Sequence, residues 1–176
     1  MRIISGKYKG KRIPVSGKFR SRPTTDFAKE SLFNILSNYF DFEEISVLDL
    51  FAGTGSISYE FASRGCSDID LIESDYRTCV FINKVISELK IKSIILIQSD
   101  AFKYIRNCRK TYDIIFADPP YDLPKLESLP SLIFENDLLK ENGWFIIEHS
   151  RRQDFTERPD CFDKRVYGSV HFSFFR

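Results

Sequence analysis

The chain has 176 residues, 43% of them apolar, and a formal net charge of +1, a composition with room for one substantial core and no need of a second full domain. It has no run of about 18 apolar residues, and Met1-Arg2-Ile3-Ile4-Ser5-Gly6-Lys7 lacks the apolar stretch of a signal peptide, so a cytoplasmic protein without a membrane span is expected. Cys66, Cys79, Cys108 and Cys161 are scattered, with only His149 and His171 to assist, a pattern that predicts buried thiols and neither a metal site nor a disulfide framework.

The net charge conceals an asymmetry. Eight of the 26 Lys and Arg fall within residues 1–22, which contain no Asp or Glu, so the arm carries +8 and the remainder −7. Ile3, Ile4, Tyr8, Ile13, Val15 and Phe19 are interleaved with these charges, which predicts an ordered hairpin pairing Arg2–Ser5 with Lys11–Val15 around Gly6 and Gly10. A basic, ordered arm favours phosphate contact. Arg20-Ser21-Arg22-Pro23 then reads as a linker. Thr24, Thr25 or Asp26 caps a joining helix over residues 24–40, with Phe27, Leu32, Phe33, Ile35, Leu36 and Tyr39 on its apolar face.

From Ile45 onward, short apolar runs alternate with helix-length segments. Strands are expected at Ser46–Phe51, Asp68–Glu73, Ser93–Gln98, Tyr112–Ala117 and Gly143–Glu148. Helices are expected at Ser56–Ser63, Asp75–Leu89 (capped by Ser74), Asp100–Asn107 and Leu126–Leu139. Such alternation predicts an α/β fold with a parallel sheet. Phe162–Tyr167 and Val170–Phe175, divided only by Gly168-Ser169, read as a terminal antiparallel hairpin. Seven strands in this sequence resemble the mostly parallel sheet of the Rossmann-like class I methyltransferases. The resemblance implies the strand order 3-2-1-4-5-7-6, helices on both faces, and a single domain over 1–176 made of an arm (1–23), the joining helix (24–40) and the core (45–176).

Ligands of open α/β sheets bind beyond the carboxyl ends of the strands, beside the switch point at the first strand. Asp49-Leu50-Phe51-Ala52-Gly53-Thr54-Gly55 ends that strand, and its glycines allow close backbone approach while the next helix offers free N–H groups. Ser58 stands where a dinucleotide fingerprint has its third glycine, which argues against a nicotinamide cofactor. Glu73, ending the second strand about 20 residues on, suits the ribose hydroxyls of S-adenosylmethionine, with Ser74 beside it. Asp49 is expected near the methionine part. Asp100 either accepts from the adenine amino group, with Ala101 leaving room for the ring, or simply caps the next helix.

The fourth strand delivers Asp118-Pro119-Pro120-Tyr121 to the same edge. Consecutive prolines have fixed φ and no N–H donor, so the backbone stays extended and the Pro119 carbonyl can be aimed into a pocket. An exocyclic base nitrogen is a poor nucleophile because its lone pair is delocalised into the ring. Asp118 and the Pro119 carbonyl can hold its two N–H protons, while Tyr121 stacks on an extruded base. Asp118 can also take the proton released by methyl transfer. The tetrapeptide does not choose the base, so an adenine-N6 methyltransferase of DNA or RNA remains an alternative within this chemistry, and a catalytically idle RNA-binding assembly factor an alternative outside it.

Arg2-Ile3-Ile4-Ser5-Gly6, Gly10-Lys11-Arg12-Ile13, Arg22-Pro23-Thr24-Thr25-Asp26, Lys29-Glu30 and Leu32-Phe33-Asn34-Ile35-Leu36 closely resemble the bacterial 16S ribosomal RNA guanine-N2 methyltransferases of the RsmD type. The similarity runs on through Phe51-Ala52-Gly53-Thr54-Gly55, Ile72-Glu73, Asp118-Pro119-Pro120-Tyr121, Asn142-Gly143, Glu148 and Tyr167-Gly168. It implies a monomer that takes S-adenosylmethionine, yields S-adenosylhomocysteine and methylates one guanosine of 16S ribosomal RNA in an assembled or assembling small subunit. On this resemblance Lys7, Lys9, Lys11, Arg12, Arg20, Arg22 and Thr24 are the candidate RNA-binding residues. Ser5 and Ser58 stand for glycines, and Lys29 for a more usual arginine.

Overall fold

The computed structural model describes residues 1–15, 25–120, 123–124 and 126–176. The strands are β1 (Ser46–Leu50), β2 (Asp68–Glu73), β3 (Ile94–Gln98), β4 (Tyr112–Ala117), β5 (Leu139–His149), β6 (Cys161–Tyr167) and β7 (Val170–Phe175). They form one sheet in the order β3-β2-β1-β4-β5-β7-β6. The strands from β3 to β5 are parallel, while β7 runs antiparallel to β5 and to β6. The helices are α1 (Asp26–Leu36), α2 (Ser56–Ser63), α3 (Tyr76–Leu89), α4 (Ala101–Asn107) and α5 (Leu129–Glu135). No described helix is long and apolar enough to cross a membrane.

Side chains alternate across each strand, so the two faces bury separate cores. On one face Val47, Ile114, Phe116, Ile146 and Phe172 meet Leu32, Phe33 and Leu36 of α1, Ile57 and Phe61 of α2, and Ile82 and Val85 of α3. On the other, Leu48, Ile115, Ala117, Phe145 and Phe175 meet Ile105 of α4 and Leu129 and Ile133 of α5. Each such side chain contributes roughly 1.5–3 kcal/mol on burial. Ile3 and Ile13 join the first core, so the amino-terminal arm is part of the packed body.

Several boundaries differ from the sequence expectation. The joining helix stops at Leu36, so Tyr39 lies beyond it and is exposed, as is Phe27 near its start. Asp75, not Ser74, caps α3, its carboxylate accepting from Thr78 N–H at 2.8 Å with φ and ψ in the extended region that a cap requires. The helix expected over Leu126–Leu139 is a 3₁₀ turn at Leu126–Ser128 followed by α5, and β5 begins four residues before Gly143. Left-handed Asp137 accompanies the early stop, and Asn142, also at positive φ, lies within β5 where the register shifts as Tyr112 pairs with Leu139 and Ile114 with Trp144. The arm hairpin has a single ladder pair, Arg2 with Arg12, flanked by bonds from Ile3 N–H to Lys11 O and from Ile13 N–H to Met1 O. Three of the four cysteines are buried, but Cys161, on the edge strand, is only half-buried.

Candidate active site

The loop after β1 is shaped by backbone conformations that few residues adopt. Phe51, Gly53 and Gly55 all have positive φ (59°, 53° and 81°), and the Gly55 N–H donates to Ala52 O at 2.8 Å. Gly55 begins α2 with no side-chain cap, leaving the first N–H groups of that helix facing the loop. A Cβ on Gly55 would lie 2.7 Å from the Tyr59 ring, so the tight turn requires glycine twice over. The Tyr59 hydroxyl itself is fully buried and has no hydrogen-bond partner among the described residues.

Glu73, at the end of β2, bridges two loops. One carboxylate oxygen accepts from Gly53 N–H at 3.0 Å and the other from Asp75 N–H at 2.7 Å. Ser74 is exposed and reaches Glu73 only at 3.5 Å. Asp100 caps α4 by accepting from Lys103 N–H at 2.8 Å and is exposed at the mouth, while Ala101 behind it is buried. Capping engages one oxygen, Oδ1, so the two readings of Asp100 are compatible. Phe51 and Phe102 meet edge to face at 6.1 Å between these loops, and Phe102 is a half-buried ring that neither spacing nor composition singles out.

Three carboxylates gather on the face shared by Val47, Phe116 and Ile146. Asp49 is on β1, Asp118 follows Ala117 of β4, and Glu148 is on β5. The register Leu50 with Ala117 and Ala117 with Ile147 makes them neighbours. Burial pushes the Asp49 carboxyl up to about 7, with two hydrogen bonds from Ser58 pulling the other way and the Glu73 charge adding to the rise. The side-chain bond, Ser58 Oγ to Asp49 Oδ2, is 2.6 Å. Burial also holds Asp118 well above the ordinary carboxylate range, reinforced by the charges of Glu148 and Asp49. Pro119 is buried, and the Pro120 carbonyl accepts from Leu123 N–H at 2.9 Å. Tyr121 lies outside the described residues.

The arm is docked through its backbone. Glu60 of α2, fully buried, accepts from Ile4 N–H at 2.9 Å and Ser5 N–H at 3.0 Å. Its charge is met by Arg64 at 3.0 Å and by buried Lys29 at 3.8 Å. Lys29 Nζ also donates to Arg2 O at 2.6 Å and to Ser56 Oγ at 3.2 Å, tying α1 and the arm to the first residue of α2. Ser63 completes the dock, donating to Ser5 O and accepting from Tyr8 N–H at 2.9 Å. Because main-chain groups do the docking, the side chains of Lys7, Lys9, Lys11 and Arg12 stay exposed. Arg20, Arg22 and Thr24 lie outside the described residues.

The structure thus brings Asp49, Phe51, Ala52, Gly53, Thr54, Gly55, Glu73, Ser74, Asp100, Ala101, Asp118, Pro119 and Pro120 to one edge of the sheet. Ser58, Tyr59 and Glu60, consecutive on α2, were not marked as site residues by the sequence. The signal for Ser58 and Glu60 is that each is polar at a buried helix position, where a partner is required.

A 3-2-1-4-5-7-6 sheet with a glycine loop after β1, an acid ending β2 and Asp-Pro-Pro ending β4 defines a Rossmann-like, S-adenosylmethionine-dependent methyltransferase. The chain belongs to the family described as Conserved hypothetical protein 95, whose model matches residues 1–176. It is 35% identical over 148 residues to Ribosomal RNA small subunit methyltransferase D of Buchnera aphidicola subsp. Baizongia pistaciae, an alignment covering 84% of this chain and 75% of that protein. The corresponding protein of Escherichia coli K12 is 32% identical over 84% of this chain and 71% of its own length. A solved structure of yhhF from Escherichia coli superposes with a TM-score of 0.85 at 28% identity, covering 99% of this chain and 96% of that one.

Proposed function

We propose that the protein methylates the exocyclic N2 of a guanine in 16S ribosomal RNA of the small ribosomal subunit. The observation that carries the methyl-transfer chemistry is the placement of Asp118, just past the end of β4, beside Asp49 of the glycine-loop strand and Glu148 of β5, at the mouth where acceptor and donor must meet; the choice of base and RNA rests on the family.

The residues present fit the methyl donor. Gly53 and Gly55 leave a loop that backbone can line closely, Glu73 and Asp100 supply acceptors at its nucleoside end, and Asp49 supplies one at its amino-acid end. Phe51, Ala52, Thr54, Ser74 and Ala101 would border it. S-adenosylmethionine, when bound, supplies an electrophilic sulfonium methyl.

Asp118 and the Pro119 carbonyl accept the two N–H protons of the guanine amino group, freeing its lone pair for in-line attack. As the N–C bond forms and the donor's C–S bond breaks, the nitrogen becomes cationic and its proton passes to the Asp118 carboxylate. The raised proton affinity of that half-buried carboxyl suits the task. Tyr121 is assigned to stack on the target base, with Pro120 restricting the backbone before it.

Exposed Lys7, Lys9, Lys11 and Arg12, with Arg20, Arg22 and Thr24 beyond them, would grip phosphates. The reading extends to an RNA presented in an assembled or assembling subunit, and to a monomeric, cytoplasmic enzyme. It is tested by incubating the protein with labelled S-adenosylmethionine and small subunits from cells lacking the activity, then digesting the RNA to nucleosides. N2-methylguanosine is expected. Methyladenosine would support an adenine-N6 enzyme, and no methylated nucleoside despite donor binding would support an idle assembly factor.

A further inference from the structure

We infer that Phe27, with Tyr167 behind it, is a stacking platform for an unpaired RNA base that flanks the target nucleotide. The inference rests on the RNA-methylating reading above and adds to it a specificity-determining contact.

Phe27 is 68% exposed, yet it is not a loosely held side chain. It sits in the first turn of α1, whose start is fixed by Thr25 accepting from Ala28 N–H at 3.2 Å. Its ring meets that of Tyr167 edge to face at 5.8 Å. Tyr167 is half-buried and leans on Phe172 at 6.1 Å, and Phe172 lies 6.3 Å from Phe116. Phe116 is two residues before Asp118 on the same face of β4. A line of rings therefore runs from the strand that delivers Asp118 out to solvent and ends at Phe27.

Strand direction places this end at the mouth. β5 ends at Glu148 and His149, and His149 pairs with His171 near the start of antiparallel β7, so the β6–β7 turn after Tyr167 lies at the same edge as Asp118. β6 stands three strands from β4, about 14 Å away at ~4.8 Å per strand. That span leaves room for a base extruded at Asp118 and a neighbour stacked at Phe27. Tyr39, also exposed and just beyond the end of α1, leans on Trp144 at 4.7 Å. Trp144 pairs with Ile114, near the opposite end of β4, so Tyr39 is remote from the mouth.

Charge chooses the partner. Asp26, the residue before Phe27, holds Arg2 at 3.1 Å, and Arg2 pairs across the hairpin with exposed Arg12. The platform thus borders the arm that carries +8 over residues 1–22. An exposed aromatic beside a basic track is the combination that binds single-stranded nucleic acid, the rings stacking on bases and the cations following the backbone.

The test compares Phe27→Ala, Phe27→Leu and Phe27→Trp in methyl transfer to unmodified small subunits, with S-adenosylhomocysteine affinity measured separately. Phe27→Ala should raise KM for the subunit about 5- to 100-fold, the worth of one stacked base, with kcat and S-adenosylhomocysteine affinity unchanged. Phe27→Trp should restore KM and Phe27→Leu should not, because leucine keeps apolar bulk but offers no ring. An unchanged KM in Phe27→Ala, or equal rescue by leucine, overturns the stacking while leaving the methylation reading in place. A wild-type protein that binds S-adenosylhomocysteine but methylates no RNA overturns both.

Discussion

Ser58 Oγ donates to Asp49 Oδ2 at 2.6 Å, so the position that a dinucleotide fingerprint reserves for glycine here holds a hydroxyl that steadies a buried carboxylate. The proton affinity of Asp49 is raised in the fold, from an ordinary 3.8 to about 7. Folding therefore favours the protonated form, a contribution fully present below pH 4 and lost as pH rises through about 7. Asp49→Asn should raise the Tm of the ligand-free protein more at pH 8 than at pH 5, while weakening donor binding. Ser58→Ala should move the pH midpoint of donor binding upward. Thermal melts and titration calorimetry across pH 5–9 check both, and equal Tm changes at the two pH values would refute the linkage.

Glu148 raises the proton affinity of Asp118 by charge. If ionised Asp118 accepts the amino protons, kcat/KM rises with pH along an acid limb set by this group. Glu148→Gln should move that limb to lower pH, and Asp118→Ala should abolish turnover with donor affinity spared. A pH–rate profile for each variant, beside S-adenosylhomocysteine binding, is the measurement.

Docking of the arm hangs on Glu60 and on the lack of a side chain at Gly6. Glu60→Ala leaves buried Lys29 uncompensated and the Ile4 and Ser5 N–H groups unpaired, which should cost about 3–5 kcal/mol in denaturant melts. A Cβ on Gly6 would come within 1.8 Å of Ser63 O, so Gly6→Ala should lift the arm away and lower the melting temperature, because Ile3 and Ile13 then leave the first core and Glu60 loses the Ile4 and Ser5 N–H groups. RNA affinity should then fall and its salt dependence flatten, as it should when Lys7, Lys9, Lys11 and Arg12 are neutralised.

Tyr59 buries a hydroxyl that has no partner among the described residues, which costs about 1–3 kcal/mol in an apolar setting. Tyr59→Phe should therefore match or exceed the wild type in Tm when ligand-free. A fall of several degrees would mean that the hydroxyl is satisfied in solution.

The strands were legible wherever local pattern and tertiary demand agree. Asp68–Glu73, Tyr112–Ala117 and Val170–Phe175 have the expected bounds because each is a short apolar run closed by a turn signal. The helix before β5 was overextended because Leu132, Ile133, Leu138 and Leu139 keep a helical rhythm. The break is made by Asp137 in the left-handed region, a choice imposed by where the chain must turn back to pair with β4. Ser74 was preferred to Asp75 as a cap since either residue type can serve, and only backbone dihedrals separate them. At the candidate site the members were legible but their neighbours were not. Glycine loop, Glu73 and Asp118 stand out by strand context, whereas the bond from Ser58 to Asp49 joins residues nine apart through a helix facing a strand.

By itself, then, the sequence determined the alternation of strands and helices, the basic arm and the chemistry-bearing tetrapeptide, all of which depend on residues close in the chain. Only the tertiary structure decided that Asp49, Asp118 and Glu148 share one face, that Glu60 holds the arm by its backbone, and that Phe27 ends a line of rings at the mouth. Those relations join residues tens of positions apart. They arise from strand order and register, which follow from burying both sheet faces at once and leave no trace in any local window.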